Sequence, residues 1–288
     1  MKSPSPRDRT VLAVARYAGL IALAGAFSFP LAFMLADSLK TEPRFTRAAA
    51  ENNHPVSVIS TPGMWGFGNY EVVLGSPQFL RFFANSLLIA GTTVGGGLLV
   101  NSLLAYSLAR RRWKGSRLAL GLIMTLMIAP FNAISMPLLL IVNWFGWLDT
   151  YQVQIVPFLA TPLYVFLFYQ FFIGIPRDYS DQAAVDGANP LQIYWHVILP
   201  LSGPVLANVT VLNFLVAWGA YLWPLITVRS PDYYPLMIGV AYMSQVGQGA
   251  APTAAMAFFA LTSLPVLGLF LIFQKQFMQS AIASSVMG

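Results

Sequence analysis

The residues of this chain best placed to do something specific lie in one stretch, Pro176 to Pro200. Asp181, Gln182, Ala183, Ala184, Asp186, Gly187 and Ala188 are followed there by Asn189, Pro190 and Gln192, and further on by Leu199 and Pro200. Ser180 can cap a short helix over Asp181 to Asp186, and acids in a first turn suit the helix dipole. Gly187 supplies the left-handed residue that commonly ends a helix. Asn189 is a good N-cap, Pro190 fits the first helical position, and Gln192 stands three residues after the cap as in a capping box. The spacing predicts helix, sharp turn, helix. Ala183, Ala184 and Ala188 make a small-residue surface that another protein can approach closely. Chemistry of the bond-breaking kind has no such constellation. No GxxxxGK[ST] loop and no G-x-S-x-G elbow occurs. The two histidines, His54 and His196, are far apart, no metal-ligand spacing is present, and there is no cysteine. No catalytic residue, no metal site and no cofactor is assigned to the chain.

The elements that position this stretch are apolar. Of 288 residues, 57% are hydrophobic and 9% charged, against roughly 25% charged in a soluble domain. That composition excludes an ordinary soluble globule and also a disordered chain. Six stretches are long and apolar enough to span a bilayer, at about 11–36, 85–109, 118–138, 153–173, 205–228 and 254–273. The first is too long for a signal-peptide core and reads as a retained span. The expected fold is an all-α polytopic membrane protein with six transmembrane helices, residues 1–10 preceding them and 276–288 following.

Basic residues are shared unequally between the connections. Lys2, Arg7, Arg9, Arg16, Arg110, Arg111, Arg112, Lys114, Arg117, Arg177 and Lys275 fall on one side, and Lys40, Arg44, Arg47, Arg81 and Arg229 on the other. Short basic loops stay in the cytoplasm, which places both termini and the loop 177–204 there, in a bacterial or archaeal plasma membrane. The net charge of +6 is then a matter of topology, and no nucleic-acid partner is needed. Pro130, Pro137, Pro157, Pro162, Pro224, Pro265 and the run Gly95, Gly96, Gly97 interrupt the spans, for packing and kinking or as hinges. The ten acids all lie at span ends or in loops, whereas ion-coupled carriers usually bury ionisable groups mid-membrane. Energy for any transport must then come from another subunit.

With that topology in place, the loop resembles the conserved cytoplasmic loop of binding-protein-dependent ABC importer permeases. Its pattern stands here as Gln182, Ala183, Ala184, then Val185, then Asp186, Gly187, Ala188, and later Ile198, Leu199, Pro200. Asn69 and Tyr70 before the second span, Asn85 and Ser86 within it, the stretch Ala105 to Arg110 with Lys114 and Gly115, the stretch Gly146 to Tyr151, and Phe171 to Pro176 are similar to the smaller six-span subunit of the sugar-type, maltose-like subfamily. The match covers about Trp65 to Phe273. The resemblance implies a type I ABC importer permease fold. It implies that Asp181, Gln182, Ala183, Ala184, Asp186, Gly187, Ala188, Leu199 and Pro200 form a coupling loop docked on a cytoplasmic ATPase. Its partners would be a second homologous permease, an ATPase dimer that holds ATP and magnesium, an extracytoplasmic binding protein and the lipid membrane. The cargo would be a di- or oligosaccharide or a related polyol.

Asn101, Asn213, Trp218, Tyr221 and Trp223 are candidates for the solute pathway. For Asn101 the alternative is an interhelical hydrogen bond. For the three aromatic residues it is packing or an interface belt. Two departures stand out. The family glutamate is Gln182, which keeps a hydrogen-bonding end without the charge. Relatives often carry Trp-Asn-acid-aromatic in the fifth span, where this chain has Trp218, Gly219, Ala220 and Tyr221. A stand-alone secondary carrier or channel is the alternative from another class. A membrane-embedded enzyme would need an acid/base or metal set that the sequence lacks.

Overall fold

The computed structural model describes residues 6–40, 65–111, 113–245 and 252–286, with side chains over 14–40, 65–111, 113–241 and 253–275. The segment 41–60, including His54, lies outside them. Among the described residues the chain is helical and forms no strand. The helices are α1 (Pro6–Ser38), α2 (Gly68–Leu74), α3 (Pro77–Arg110), α4 (Ser116–Leu126), α5 (Phe131–Trp144), α6 (Tyr151–Ile155), α7 (Pro162–Gly174) and α8 (Asp178–Val185). Then come α9 (Pro190–Leu201), α10 (Gly203–Trp218), α11 (Leu222–Thr227), α12 (Leu236–Gln245) and α13 (Pro252–Val286). Among the described residues four stretches are long and apolar enough to cross a bilayer: Val14–Ser38, Pro77–Arg110, Tyr151–Gly174 and Thr253–Lys275. Two bent pairs bring the number to six, α4 with α5 at 107° and α9 with α10 at 82°.

These bends show where proline and glycine act. The run read as one span over 118–138 breaks before Pro130, whose extended backbone (ψ 138°) opens α5, and α5 continues to Trp144. The span read over 205–228 stops at Trp218, and a new helix begins at Leu222. The span read from 85 begins earlier, at Pro77. Apolar runs locate spans, but a helix ends where its backbone bonds find other partners.

The chain divides into two compact units, Met1–Pro77 with Val246–Leu264, and Gln78–Gln245 with Pro265–Gly288. In the first, Asn69 and Tyr70 fasten the end of α1. Asn69 Nδ2 donates to the carbonyls of Ser38 and Lys40, both at 2.8 Å, and the hydroxyls of Ser38 and Tyr70 pair at 2.7 Å. Those carbonyls belong to the end of a helix, where no intrahelical donor reaches. Asp37, buried beside them, is held by Lys40 at 2.6 Å.

In the second unit α3, α7, α9 and α10 meet in a core of Ala105, Phe168, Phe172, Tyr194, Ile198 and Val209, each fully buried. α12 packs so closely on α3 that a Cβ on Gly239 would lie 2.2 Å from the ring of Phe82. That ring is itself fully buried and sits 6.0 Å from Tyr234, so it has nowhere to move. Gly239→Ala is expected to cost about 1–3 kcal/mol by overpacking. It should lower the thermal transition in detergent by several degrees; an unchanged transition would show that α12 can withdraw without penalty.

Candidate functional site

The loop after α7 has the helix-turn-helix form that its residues predict, with one change at its start. α8 begins at Asp178, and Ser180 lies inside it: Ser180 Oγ caps nothing and is buried without a hydrogen-bond partner. At the other end Gly187 takes φ +87°. Its N–H donates to Ala184 O at 3.1 Å, and the N–H of Ala188 to Ala183 O at 2.9 Å. This is the paired bond of a Schellman stop, which needs a left-handed residue at that position. Asn189 Oδ1 then accepts from the N–H of Leu191 and of Gln192, and Gln192 Oε1 accepts from the N–H of Asn189 at 2.8 Å. The capping box is complete.

The exposed face of this loop differs from the small-residue surface expected. Ala183 and Ala188 are half-buried against the core, and of the three alanines only Ala184 is exposed. A surface hollow is lined instead by Asp178, Asp181, Gln182, Val185 and Asp186. Asp181 and Gln182 share that wall, although successive helix residues point about 100° apart. Leu199 and Pro200 stand at the far end of α9, before its bend into α10. Pro200 follows a π-helical turn over Tyr194–Ile198, as suits a residue that has no N–H to give.

Three residues that sequence reasoning did not single out for this role hold the loop on α3. The hydroxyls of Ser102 and Tyr194 pair at 2.7 Å, Tyr106 Oη donates to Pro190 O at 3.0 Å, and Arg110 Nη2 donates to Ile175 O at 2.7 Å. Their spacing of four puts them on one helix face. That polar stripe is readable in the sequence, where Arg110 counts among the topology-setting basic residues and closes the family-like stretch Ala105 to Arg110.

A second stripe of four-residue steps runs along α3 through Asn85, Ile89, Thr93, Gly97 and Asn101. Asn85 Nδ2 donates to the carbonyls of Asp232 and Tyr234, and its Oδ1 accepts from Tyr151 Oη. Asn101 faces a gap in the fourth span, between a 3₁₀ turn over Val156–Phe158 and α7. Its Nδ2 donates to Leu159 O at 2.9 Å and to Gly97 O at 2.6 Å, and its Oδ1 accepts from Thr161 N–H at 2.8 Å. The side-chain amide thus stands in for the helical bonds that the gap lacks. Gly97 leaves room beside it for Asn213, whose Nδ2 would lie 2.7 Å from a Cβ at that position.

Between these elements lies a cavity of ≈ 400 Å³. Asn213, Tyr221 and Trp223 line it, as do Ala220 and Leu222 from the break between α10 and α11. Phe131, Phe158 and Trp223 form an aromatic wall with ring centroids 5.8–6.0 Å apart, and Trp223 Nε1 is tethered to Val153 O at 2.8 Å. Of the five pathway candidates, Asn101 and Trp218 are not on this wall. Asn101 is fully buried in its backbone clamp. Trp218 stacks on Phe214 at 5.4 Å and meets Phe83 edge-on at 5.7 Å. Thr93 and Gln154, which the sequence reading passed over, are on the wall. Gln154 is an amide within the apolar stretch 153–173, as Asn101 is within 85–109.

These features match a known architecture. Residues 97–281 fit the family model of the binding-protein-dependent transport system inner membrane component. The chain is 30% identical to the arabinooligosaccharides transport system permease protein AraQ of Bacillus subtilis, over 91% of each. It is 28% identical to the sn-glycerol-3-phosphate transport system permease protein UgpE of Yersinia enterocolitica, over 80% of this chain and 84% of that one. A chain of a bacterial ABC transporter involved in the import of the acidic polysaccharide alginate superposes with a TM-score of 0.81 at 24% identity, over 96% of this chain and 99% of that one. The fold is that of the type I ABC importer permeases. The chain belongs to the family of inner membrane components of binding-protein-dependent transport systems.

Proposed function

We propose that this chain is one of two permease subunits of an ATP-driven importer for a sugar or related polyol. The second subunit is a homologous permease, and the solute passes between the two. An extracytoplasmic binding protein delivers the solute. A dimer of cytoplasmic ATPases binds ATP and magnesium, and this chain has no ATPase site of its own. Both termini and the loop 177–204 lie in the cytoplasm, with 11–275 as the membrane domain.

The observation that carries the reading is the rigid loop. α8 is closed by the Schellman stop at Gly187 and joined to a capped α9, whose Tyr194 is fully buried and bonded to α3. A push on the exposed face of α8 is therefore passed to the spans, not absorbed in a flexible connection. Asp178, Asp181, Gln182, Val185 and Asp186 are the residues that an ATPase would grip.

The test is uptake into proteoliposomes by the four-component complex. ATP-dependent sugar accumulation is expected with binding protein present, and none from this chain alone. Accumulation by the isolated chain under an ion gradient would favour a secondary carrier and sink the proposal. Gln182→Glu adds a carboxylate to a wall that already has three, and the ATPase should co-purify at wild-type yield or better. Loss of co-purification would mean that the docking surface lies elsewhere.

A further inference from the structure

The cavity has a chemical character that the docking loop does not explain. None of the described residues lining it is charged. Two polar side chains at its wall are left incomplete. Thr93 is 2% exposed and its Oγ1 has no hydrogen-bond partner; Gln154 is 4% exposed and its Oε1 has none. A buried polar atom without a partner is costly, and such atoms are rare in folded proteins. The orientation of the Gln154 amide is fixed, because its Nε2 donates to Tyr233 O at 3.0 Å. What it leaves open is an acceptor. Thr93 offers a hydroxyl that gives or takes a hydrogen bond.

We propose that Thr93 and Gln154 are the hydrogen-bonding groups of a subsite for an uncharged sugar or polyol unit, packed against the wall of Phe131, Phe158 and Trp223. A sugar hydroxyl can donate to Gln154 Oε1, whereas a carboxylate or phosphate oxygen meets that acceptor as a second acceptor and is repelled. An anion would also enter a site whose described lining residues include no lysine or arginine to pair it, against the cost of taking a charge out of water. The apolar faces of a pyranose or furanose ring suit the aromatic wall. This inference rests on the transport reading and narrows it to neutral cargo.

The experiment uses the complete complex in proteoliposomes, with its binding protein and ATP. The probes are neutral di- and trisaccharides and hexitols on one side, a uronic-acid trisaccharide and glycerol 3-phosphate on the other. Uptake confined to neutral probes is expected. Thr93→Val is nearly isosteric and removes only the unpartnered hydroxyl. It should cut uptake roughly 2–10-fold, the value of one neutral hydrogen bond. Binding-protein-stimulated ATP hydrolysis should stay within about twofold and the thermal transition should be unchanged or raised, because the hydroxyl removed has no hydrogen-bond partner within the protein. Thr93→Ser should restore uptake. A merely structural role would leave sugar moved per ATP unaltered. Unchanged uptake in Thr93→Val, or transport of an anionic probe, overturns the neutral subsite while leaving the importer intact. Uptake of none of the probes by the wild-type complex overturns the carbohydrate reading, and the subsite with it.

Discussion

Asn101→Leu is expected to cost the chain a large share of its stability. The variant should be recovered from membranes at well below the wild-type yield and show a thermal transition in detergent lowered by many degrees. The side chain removed is fully buried and makes three hydrogen bonds, of which two complete the broken span at Leu159 and Thr161. Leucine fills similar space but leaves a carbonyl and an N–H without their protein partners. Each orphaned group costs about 1–3 kcal/mol, so the pair removes about 2–6 kcal/mol from a total stability on the order of 5–15 kcal/mol. In a lipid environment irregular backbone is tolerated only where it is buried in protein or lines a water-filled cavity. Asn101→Asp keeps the acceptor for Thr161 N–H and loses the donor to Leu159 O, and should fall between. Wild-type yield and melting for Asn101→Leu would mean that the gap at Leu159 to Thr161 closes by itself.

The second large effect is at Gly187 and is functional, not structural. Gly187→Val should reduce ATP-driven uptake by at least about tenfold while the membrane chain still folds and melts near the wild-type temperature. No atom lies within 4 Å of where a Cβ would sit, so crowding plays no part. The whole effect comes from φ +87°, a conformation that costs an ordinary L-residue about 1–2 kcal/mol and suits a β-branched one worst. The turn relaxes by giving up the bonds from Gly187 and Ala188 to Ala184 and Ala183. α8 then no longer moves as one body with α9. Gly187→Asn is the control, because asparagine tolerates the left-handed region, and it should retain most of the uptake. If valine supports full uptake, α8 does not transmit force through this turn.

Several devices were legible because their physics is local. The left-handed glycine, the Asn189 and Gln192 box and the apolar runs depend on neighbours a few residues away, so spacing alone specifies them. The sequence also placed Asn69 and Tyr70 in a recognisable segment, yet their work, closing the end of α1 some thirty residues upstream, came only with the fold. The Ser180 cap failed for a related reason: α8 starts at Asp178, one turn earlier than the strongest cap-former suggested, and turns that hydroxyl inward.

The sequence by itself determined that this is a helical membrane chain with a stiff polar loop, because hydropathy, charge bias and turn residues are written in consecutive positions. Only the tertiary structure decided which side of α8 is exposed, that Asn101 mends a broken span while Asn213 and Trp223 face a cavity, and that Thr93 and Gln154 join them there. Residues such as Thr93, Gln154 and Trp223 are brought together by packing of helices far apart in the chain, and no pattern along one strand of sequence encodes which of two apolar faces will be left open.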